Sequence, residues 1–447
     1  LKVIVVGCTH AGVTVVTEVL KHHPDAEVTV YERNDNVSFL SCGIALYLQD
    51  TVKRLEDMFY ETPEHLTALG ANVKTEYDVL KIDASKQQIT IQNLKTRLIS
   101  TDTYDRLVMT SGSAASVPPI HGVDSSKVLV CKNYHQALAI KKNAALSRQV
   151  TIVGAGYSGI ELAEAYANTD HQVTLLQGDE QVLGNYIDPE MSARIVALLR
   201  QHGVTVHLST PVTAFATKGP TDPVVIKTSK GDFNSDFVVV CTGFVPNTEL
   251  VQGQVALDRN NAIITNEWLE TSEPTIFAAG DACAAKFNPT DQPTFIPLAT
   301  NAVQQGRIIA RNLFGHVQRY PGTQATTALR LFAQTLATTG VTLKRALASG
   351  IAAASVTYRG PYRPLFMPQT SEVVIELVYA KTNHRILGAQ FYGEYDLTQS
   401  ANAVSISIQN KNTIEDLAFT DTLFNPFYDQ PVNYLNQVAQ MALDQEG

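Results

Sequence analysis

Apolar residues in this chain gather into short runs that enter amphipathic stretches through glycine turns. The first such stretch spans Lys2 to Glu32: an apolar strand, a glycine turn, a helical stretch and a second strand, AEVTVYE. The second spans Gln149 to Gln177: strand QVTIV, turn GAGYSG, a helical stretch and strand HQVTLLQ. Each pattern predicts a βαβ unit, and two units predict two nucleotide sites. Further strands are predicted over Tyr104–Met109 and over Thr275–Ala279. Past Tyr320-Pro321-Gly322 the pattern changes to a strand-like run, Glu372–Tyr379, and a helical one, Leu397–Gln409, with no glycine fingerprint. Val117–Val123 (VPPIHGV) and Val245-Pro246-Asn247 read as crossovers, so the second unit is expected to be inserted into the first. The expected fold is α/β, with two Rossmann-like dinucleotide-binding domains and a C-terminal α+β domain. The first domain covers residues 1–116 and 247–320, the inserted one 117–246, and the C-terminal one 321–447.

Composition removes several function classes. The chain has 447 residues, 45% hydrophobic and 17% charged, as suits a globular protein with true cores. A net charge of −9 without a Lys/Arg cluster argues against nucleic acid as a partner. No apolar run reaches the roughly 20 residues that a spanning helix needs. No charged and apolar leader precedes the first strand, and a cytoplasmic location is expected. The cysteines are Cys8, Cys42, Cys131, Cys241 and Cys283. Their odd number, wide spacing and lack of CxxC argue against a disulfide framework or a metal site.

The chemistry-bearing residues cluster at strand ends. In Gly154-Ala155-Gly156-Tyr157-Ser158-Gly159 the first glycine makes the tight turn and the second admits a pyrophosphate to the backbone. The third lets helix and strand pack closely, and the helix N-terminus faces the phosphates. The first unit reads Gly7-Cys8-Thr9-His10-Ala11-Gly12, with Thr9 where the middle glycine would stand. Glu32, 20 residues after Gly12 at the end of the second strand, can accept hydrogen bonds from a ribose. Asp281, closing the strand Thr275–Gly280, puts a carboxylate at a sheet's carboxyl edge. Thr110-Ser111-Gly112-Ser113 follows another strand and offers small residues beside a cofactor.

Together, the GxxxxG start, the T-S-G-S turn, the internal GxGxxG and the F-A-A-G-D near residue 280 resemble the two-dinucleotide flavoprotein reductases, which share a glutathione reductase-like fold. Ser38-Phe39-Leu40-Ser41-Cys42-Gly43 is similar to the single-cysteine branch of the pyridine nucleotide-disulfide oxidoreductases, the water-forming NADH oxidases and NADH peroxidases. L-A-T-N-A at Leu298–Ala302 and F-N-P-F-Y-D-Q-P at Phe424–Pro431 extend the similarity through the chain. The resemblance implies FAD in the first site, lined by Gly7, Thr9, His10, Ala11, Gly12, Glu32, Arg33, Ser41, Cys42, Val79, Thr110, Ser111, Gly112, Ser113, Lys132, Tyr157, Asp281, Leu298, Ala299 and Thr300. It implies NAD(P)H in the second, lined by Gly154, Gly156, Tyr157, Ser158, Gly159, Ile160, Glu161, Gln177, Gly178, Tyr186 and Gly243. It also implies His10 as an active-site base and a C-terminal dimerisation domain. In the resulting homodimer, the segment beginning at Phe424 reaches the partner's flavin pocket.

The implied reaction is NAD(P)H oxidation with four-electron reduction of O₂ to water. A Cys42 thiolate attacks peroxide and becomes sulfenic acid, the reversible first rung of cysteine oxidation, and a second hydride restores it. Such a thiolate calls for a nearby positive field, whereas a helix N-terminus keeps His10 neutral. Gln177 stands where NADH-specific relatives carry an acid, so NADH is expected as donor with NADPH as a second one. The alternatives are an NADH peroxidase acting on H₂O₂, a coenzyme A disulfide reductase and a non-catalytic redox sensor signalling through Cys42. The coenzyme A reading is disfavoured by Ser41 in place of the usual Asn. It is also disfavoured by a first helix that offers only Lys21 and histidines to phosphates.

Overall fold

The computed structural model describes residues 1–217, 219 and 222–447. Lys2–Val6 forms the centre of a five-stranded parallel sheet with the strand order Ile276–Ala278, Arg106–Met109, Lys2–Val6, Glu27–Glu32, Asn72–Thr75. Val3, Ile4 and Val5 are wholly buried, because a parallel sheet is covered on both faces. One cover is the helix His10–His22, which presents Val13, Val16 and Leu20 to the core. It packs closely on the helix Ala299–Asn312, where a Cβ on Gly306 would lie 2.9 Å from the Ala11 carbonyl oxygen. A glycine at that crossing lets the two backbones approach.

The second sheet repeats the design with the order Thr205–His207, Gln172–Leu176, Gln149–Val153, Phe237–Val240, Val128–Val130, all parallel. In the first sheet the chain builds outward on one side of Lys2–Val6 and then crosses to the other; in the second, Val128–Val130 lies beyond Phe237–Val240 on the opposite side of Gln149–Val153 from Gln172–Leu176. That reversal leaves a crevice at the carboxyl ends of the strands, where open α/β sheets take their ligands. The crevices open beside Gly7 and Thr110 in one sheet and beside Gly154 and Cys241 in the other. An antiparallel ribbon, Ser113–Ala115 with Phe244–Pro246, joins the two sheets where the chain leaves the first and returns to it.

The C-terminal part is an antiparallel sheet ordered Thr327–Leu331, Gln334–Gly340, Ile386–Gly393, Glu372–Ala380, Ala353–Pro361. The helices Thr398–Gln409 and Tyr434–Glu446 cover it, with Val404, Ile408, Val438 and Ala442 buried. The aromatic richness of this part divides in two. Tyr358, Tyr362 and Tyr434 are buried in its core, whereas Phe366, Phe424, Phe427 and Tyr428 are exposed on the single chain. Among the described residues, no helix is long and apolar enough to cross a membrane.

Candidate active site

The two crevices face each other and merge into one cleft of about 2180 Å³, with the C-terminal sheet closing one side. That volume is more than twice the upper end of about 1,000 Å³ usual for a single small-molecule site, and it suits two dinucleotides end to end. The two glycine turns that enter it are built alike. Gly7 has φ +92° and Gly154 φ +101°, and a Cβ on either would stand 2.4 Å from a carbonyl oxygen, of Thr110 and Cys241 respectively. Gly12 and Gly159 serve helix–strand packing: an added Cβ would lie 2.1 Å and 1.9 Å from the carbonyl oxygens of Gly7 and Gly154. Beside Gly156 there is no atom within 4 Å of a would-be Cβ, which leaves open the cradle that a pyrophosphate needs.

Each turn is tied to an acceptor at the end of the next strand. Glu32 Oε2 accepts from Cys8 N–H at 2.7 Å, and its Oε1 accepts from Asn34 N–H at 2.8 Å. Burial pushes the Glu32 carboxyl up, while these donors hold it down. In the second unit Gln177 Oε1 accepts from Ala155 N–H at 2.8 Å, and its amide donates to Asp179 Oδ2 at 3.2 Å. A neutral amide therefore performs the structural half of the carboxylate's task and adds no charge. These features fit FAD in the first crevice and a nicotinamide nucleotide in the second.

Between the crevices lies Cys42, the cysteine expected to be redox-active. Cys42, in the tight turn Ser41–Gly43 ahead of the short helix Ile44–Leu48, is exposed, whereas Cys8 and Cys283 are buried and Cys131 and Cys241 half-buried. Among the described residues, no cation is found to lower the Cys42 pKa as the expectation required. Although the Cys42 side chain reaches the cleft, the surrounding wall partly desolvates the thiol and pushes its pKa up, with the charge of Glu161 adding to this; a local backbone hydrogen bond opposes it only in part. Glu161 is itself raised to about 7, by burial and by repulsion from Glu164.

His10 opens its helix and is held below its ordinary pKa, chiefly by burial and also by Lys132, against the opposing charge of Asp281, so it is neutral near pH 7. Its Nδ1 lies 2.9 Å from the Tyr60 hydroxyl, and the two rings stack with centroids 5.4 Å apart. Tyr60 was not singled out by the sequence. Its thiol neighbours are Cys8 and Cys42, which help burial to raise its pKa. On the opposite wall Lys132 Nζ donates to Ser113 Oγ at 2.7 Å and to Asp281 Oδ2 at 3.0 Å, and Ser113 Oγ donates to the same carboxylate at 2.6 Å. This ion pair links the segment after Val128–Val130 to the first sheet across the cleft.

The cleft wall gathers Gly7, Thr9, His10, Ala11, Glu32, Arg33, Ser41, Cys42, Val79, Thr110 to Ser113, Lys132, Asp281, Leu298 and Ala299, with Gly154, Gly156, Tyr157, Ser158, Glu161, Gln177, Gly178, Tyr186 and Gly243. Five expected residues lie off it. Gly12 and Gly159 sit behind their turns, Ile160 points into the core of the second sheet, Thr300 is exposed, and Phe424 is on the outer surface. Tyr157 lies at the second glycine turn, with its ring 4.7 Å from that of Tyr186.

Comparison with known proteins gives a consistent picture. Residues 1–306 match the family described as pyridine nucleotide-disulphide oxidoreductase, and residues 329–432 match its dimerisation domain. An NADH oxidase of Enterococcus faecalis is 46% identical over 444 residues, covering 99% of this chain and 100% of that protein. An NADH oxidase of Streptococcus pyogenes is 33% identical over 459 residues, covering 99% and 100%. Among solved structures, the water-forming NADH oxidase from Lactobacillus brevis bound to NADH superposes with TM-score 0.98 at 47% identity, covering 100% of this chain and 98% of that one. An engineered water-forming NADPH oxidase bound to NADPH superposes with TM-score 0.98 at 46% identity, covering 100% and 99%.

Proposed function

This chain belongs to the pyridine nucleotide-disulphide oxidoreductase family, and from that premise we propose that it is a FAD-dependent NAD(P)H oxidase that reduces O₂ to water through Cys42. The observation that carries the proposal is the placement of one exposed thiol in the wall of a single cleft shared by both glycine turns. Bound FAD supplies two-electron exchange between the nicotinamide and oxygen. The chain's own part is to hold the donor at Gly154–Tyr157, to exclude water and to complete the reduction at Cys42. The Cys42 sulfur takes one oxygen atom from peroxide, releasing water and becoming sulfenic acid. Two further electrons and two protons return the thiol with a second water. Two NADH thus deliver the four electrons that O₂ needs.

His10 supports this chemistry as a neutral imidazole that can take or return a proton, with the Tyr60 hydroxyl as its hydrogen-bonded neighbour. Within this reading the protein is a homodimer, supported by the dimerisation-domain match and by the exposed Leu423, Phe424, Phe427 and Tyr428. The same reading puts domain limits near residues 116, 246 and 320, with the ribbon Ser113–Ala115/Phe244–Pro246 in support. A cytoplasmic location accords with five free cysteines. The test is Cys42→Ser. This variant should keep FAD and still oxidise NADH, but release one H₂O₂ per NADH. If it still makes only water, Cys42 is not the peroxide reductant.

A further inference from the structure

One wall of the cleft carries cations to which the reaction above gives no part. Lys344 and Arg345, from the helix Leu343–Ala348, line the cleft together with Arg259 from the turn after Leu257. Among the described residues none of the three forms a salt bridge. Arg345 is half-buried, and its guanidinium lies over the Phe287 ring, 4.9 Å from the centroid. Burial and the neighbouring Arg259 lower its pKa, while Tyr186 beside it has the opposite effect. An unpaired, partly desolvated guanidinium is costly unless an anion accompanies it.

Arg345 is also held in place relative to the donor site. Asp188 Oδ2 accepts from Leu343 N–H at 3.0 Å and from Gln390 Nε2 at 2.6 Å, fastening the start of the helix to the inserted domain. Two residues before Asp188, Tyr186 is near enough to Arg345 to raise its pKa and packs on Tyr157, the residue that opens the helix after the second glycine turn. Arg345 thus acts electrostatically on Tyr186, whose ring packs on Tyr157 at the turn that ends in the pyrophosphate cradle at Gly156. Gln177, at the end of the neighbouring strand, marks the other end of the nucleotide.

We propose that Arg345, assisted by Lys344 and Arg259, is an anion subsite that binds the pyrophosphate of the nicotinamide-nucleotide donor from the side opposite the glycine turn. The inference rests on the reading of the second crevice as the donor site. It makes the C-terminal domain part of donor recognition in the same chain.

The test compares Arg345→Gln and Arg345→Lys with the parent holoenzyme. NADH, NADPH and reduced nicotinamide mononucleotide, which has no pyrophosphate, serve as donors, and ADP-ribose binding is titrated by calorimetry. Arg345→Gln should raise KM for NADH and NADPH alike by roughly tenfold, with kcat nearly unchanged and the mononucleotide KM little affected. The ADP-ribose Kd should weaken by a similar factor, and Arg345→Lys should recover most of both losses. Unchanged KM and unchanged ADP-ribose Kd would overturn the proposal. So would an equal loss with the mononucleotide, which would mark a structural role, or a loss confined to NADPH, which would assign the cation to the 2′-phosphate. A parent protein that binds ADP-ribose but oxidises no NADH would refute the proposed function, and the ADP-ribose titration would still decide the subsite.

Discussion

Replacing Gln177 with Glu should shift the donor preference towards NADH. Gln177 Oε1 holds Ala155 N–H at 2.8 Å, and at the matching strand end Glu32 holds Cys8 N–H at 2.7 Å, so a glutamate has the right reach. The substitution keeps that bond and replaces an amide donor with a carboxylate oxygen at the expected ribose position. A carboxylate about 5 Å from a 2′-phosphate of about −1.5 to −2 charges is repelled by about 1–3 kcal/mol at an effective dielectric of roughly 40–80. That corresponds to roughly tenfold to a hundredfold in kcat/KM. The new carboxylate also loses the amide's hydrogen bond to Asp179, so Asp179→Ser should accompany it in a second variant to keep the loop relaxed. Initial rates with NADH and NADPH over a range of concentrations give the two kcat/KM values. NADPH should lose nearly all of the change and NADH less than about twofold, at constant kcat. An unchanged ratio would mean that Gln177 does not face the ribose. Equal losses for both donors would mean that the turn itself had been disturbed.

Three further outcomes follow from the same geometry. Glu161→Gln should lower the Cys42 pKa by removing a charge that raises it, so iodoacetamide should alkylate Cys42 about three to ten times faster at pH 8. Because the Glu161 carboxyl titrates at about 7, this difference should shrink towards pH 6, and a pH-independent ratio would contradict the assignment. Phe424→Ala should change the peroxide leak while FAD stays bound; an unaltered leak, or a chain that sediments as an active monomer, would remove the partner's Phe424 from the site. Glu376, raised to about 7 by burial and by the charge of Asp188, destabilises the fold as pH climbs from about 4.5 through 7, since the folded state retains the proton longer than the unfolded one. Glu376→Gln should therefore gain on the order of 1–3 kcal/mol at pH 8 and almost nothing at pH 4.5, as read from denaturant unfolding.

The parts legible in the sequence are those in which local pattern and tertiary role coincide. The strands Lys2–Val6 and Gln149–Val153, with the helices that follow them, were readable because a buried parallel strand is an unbroken apolar run and its turn needs glycine. Glu372–Ala380 and Thr398–Gln409 were likewise visible as a near-continuous apolar run and a helical period. The edge strand Asn72–Thr75 was not, because its residues are half-exposed and mixed in polarity. Tyr60 and Arg345 carry no local signal at all. Tyr60 reaches His10 only because the chain reverses, with Phe39 bridging Phe59, and Arg345 reaches the cleft only through the docking of two distant domains at Asp188. Cys42 was visible from its neighbours in sequence. The charge around it was not, because Glu161 lies more than a hundred residues away along the chain.

The central claim is that one chain carries O₂ through to water. It is tested most directly by measuring NADH consumed against O₂ consumed by the purified holoenzyme, with H₂O₂ assayed in the same vessel. The account predicts two NADH per O₂ and no accumulating peroxide. One NADH per O₂ with an equal yield of H₂O₂, or NADH oxidation that requires added peroxide, would contradict it.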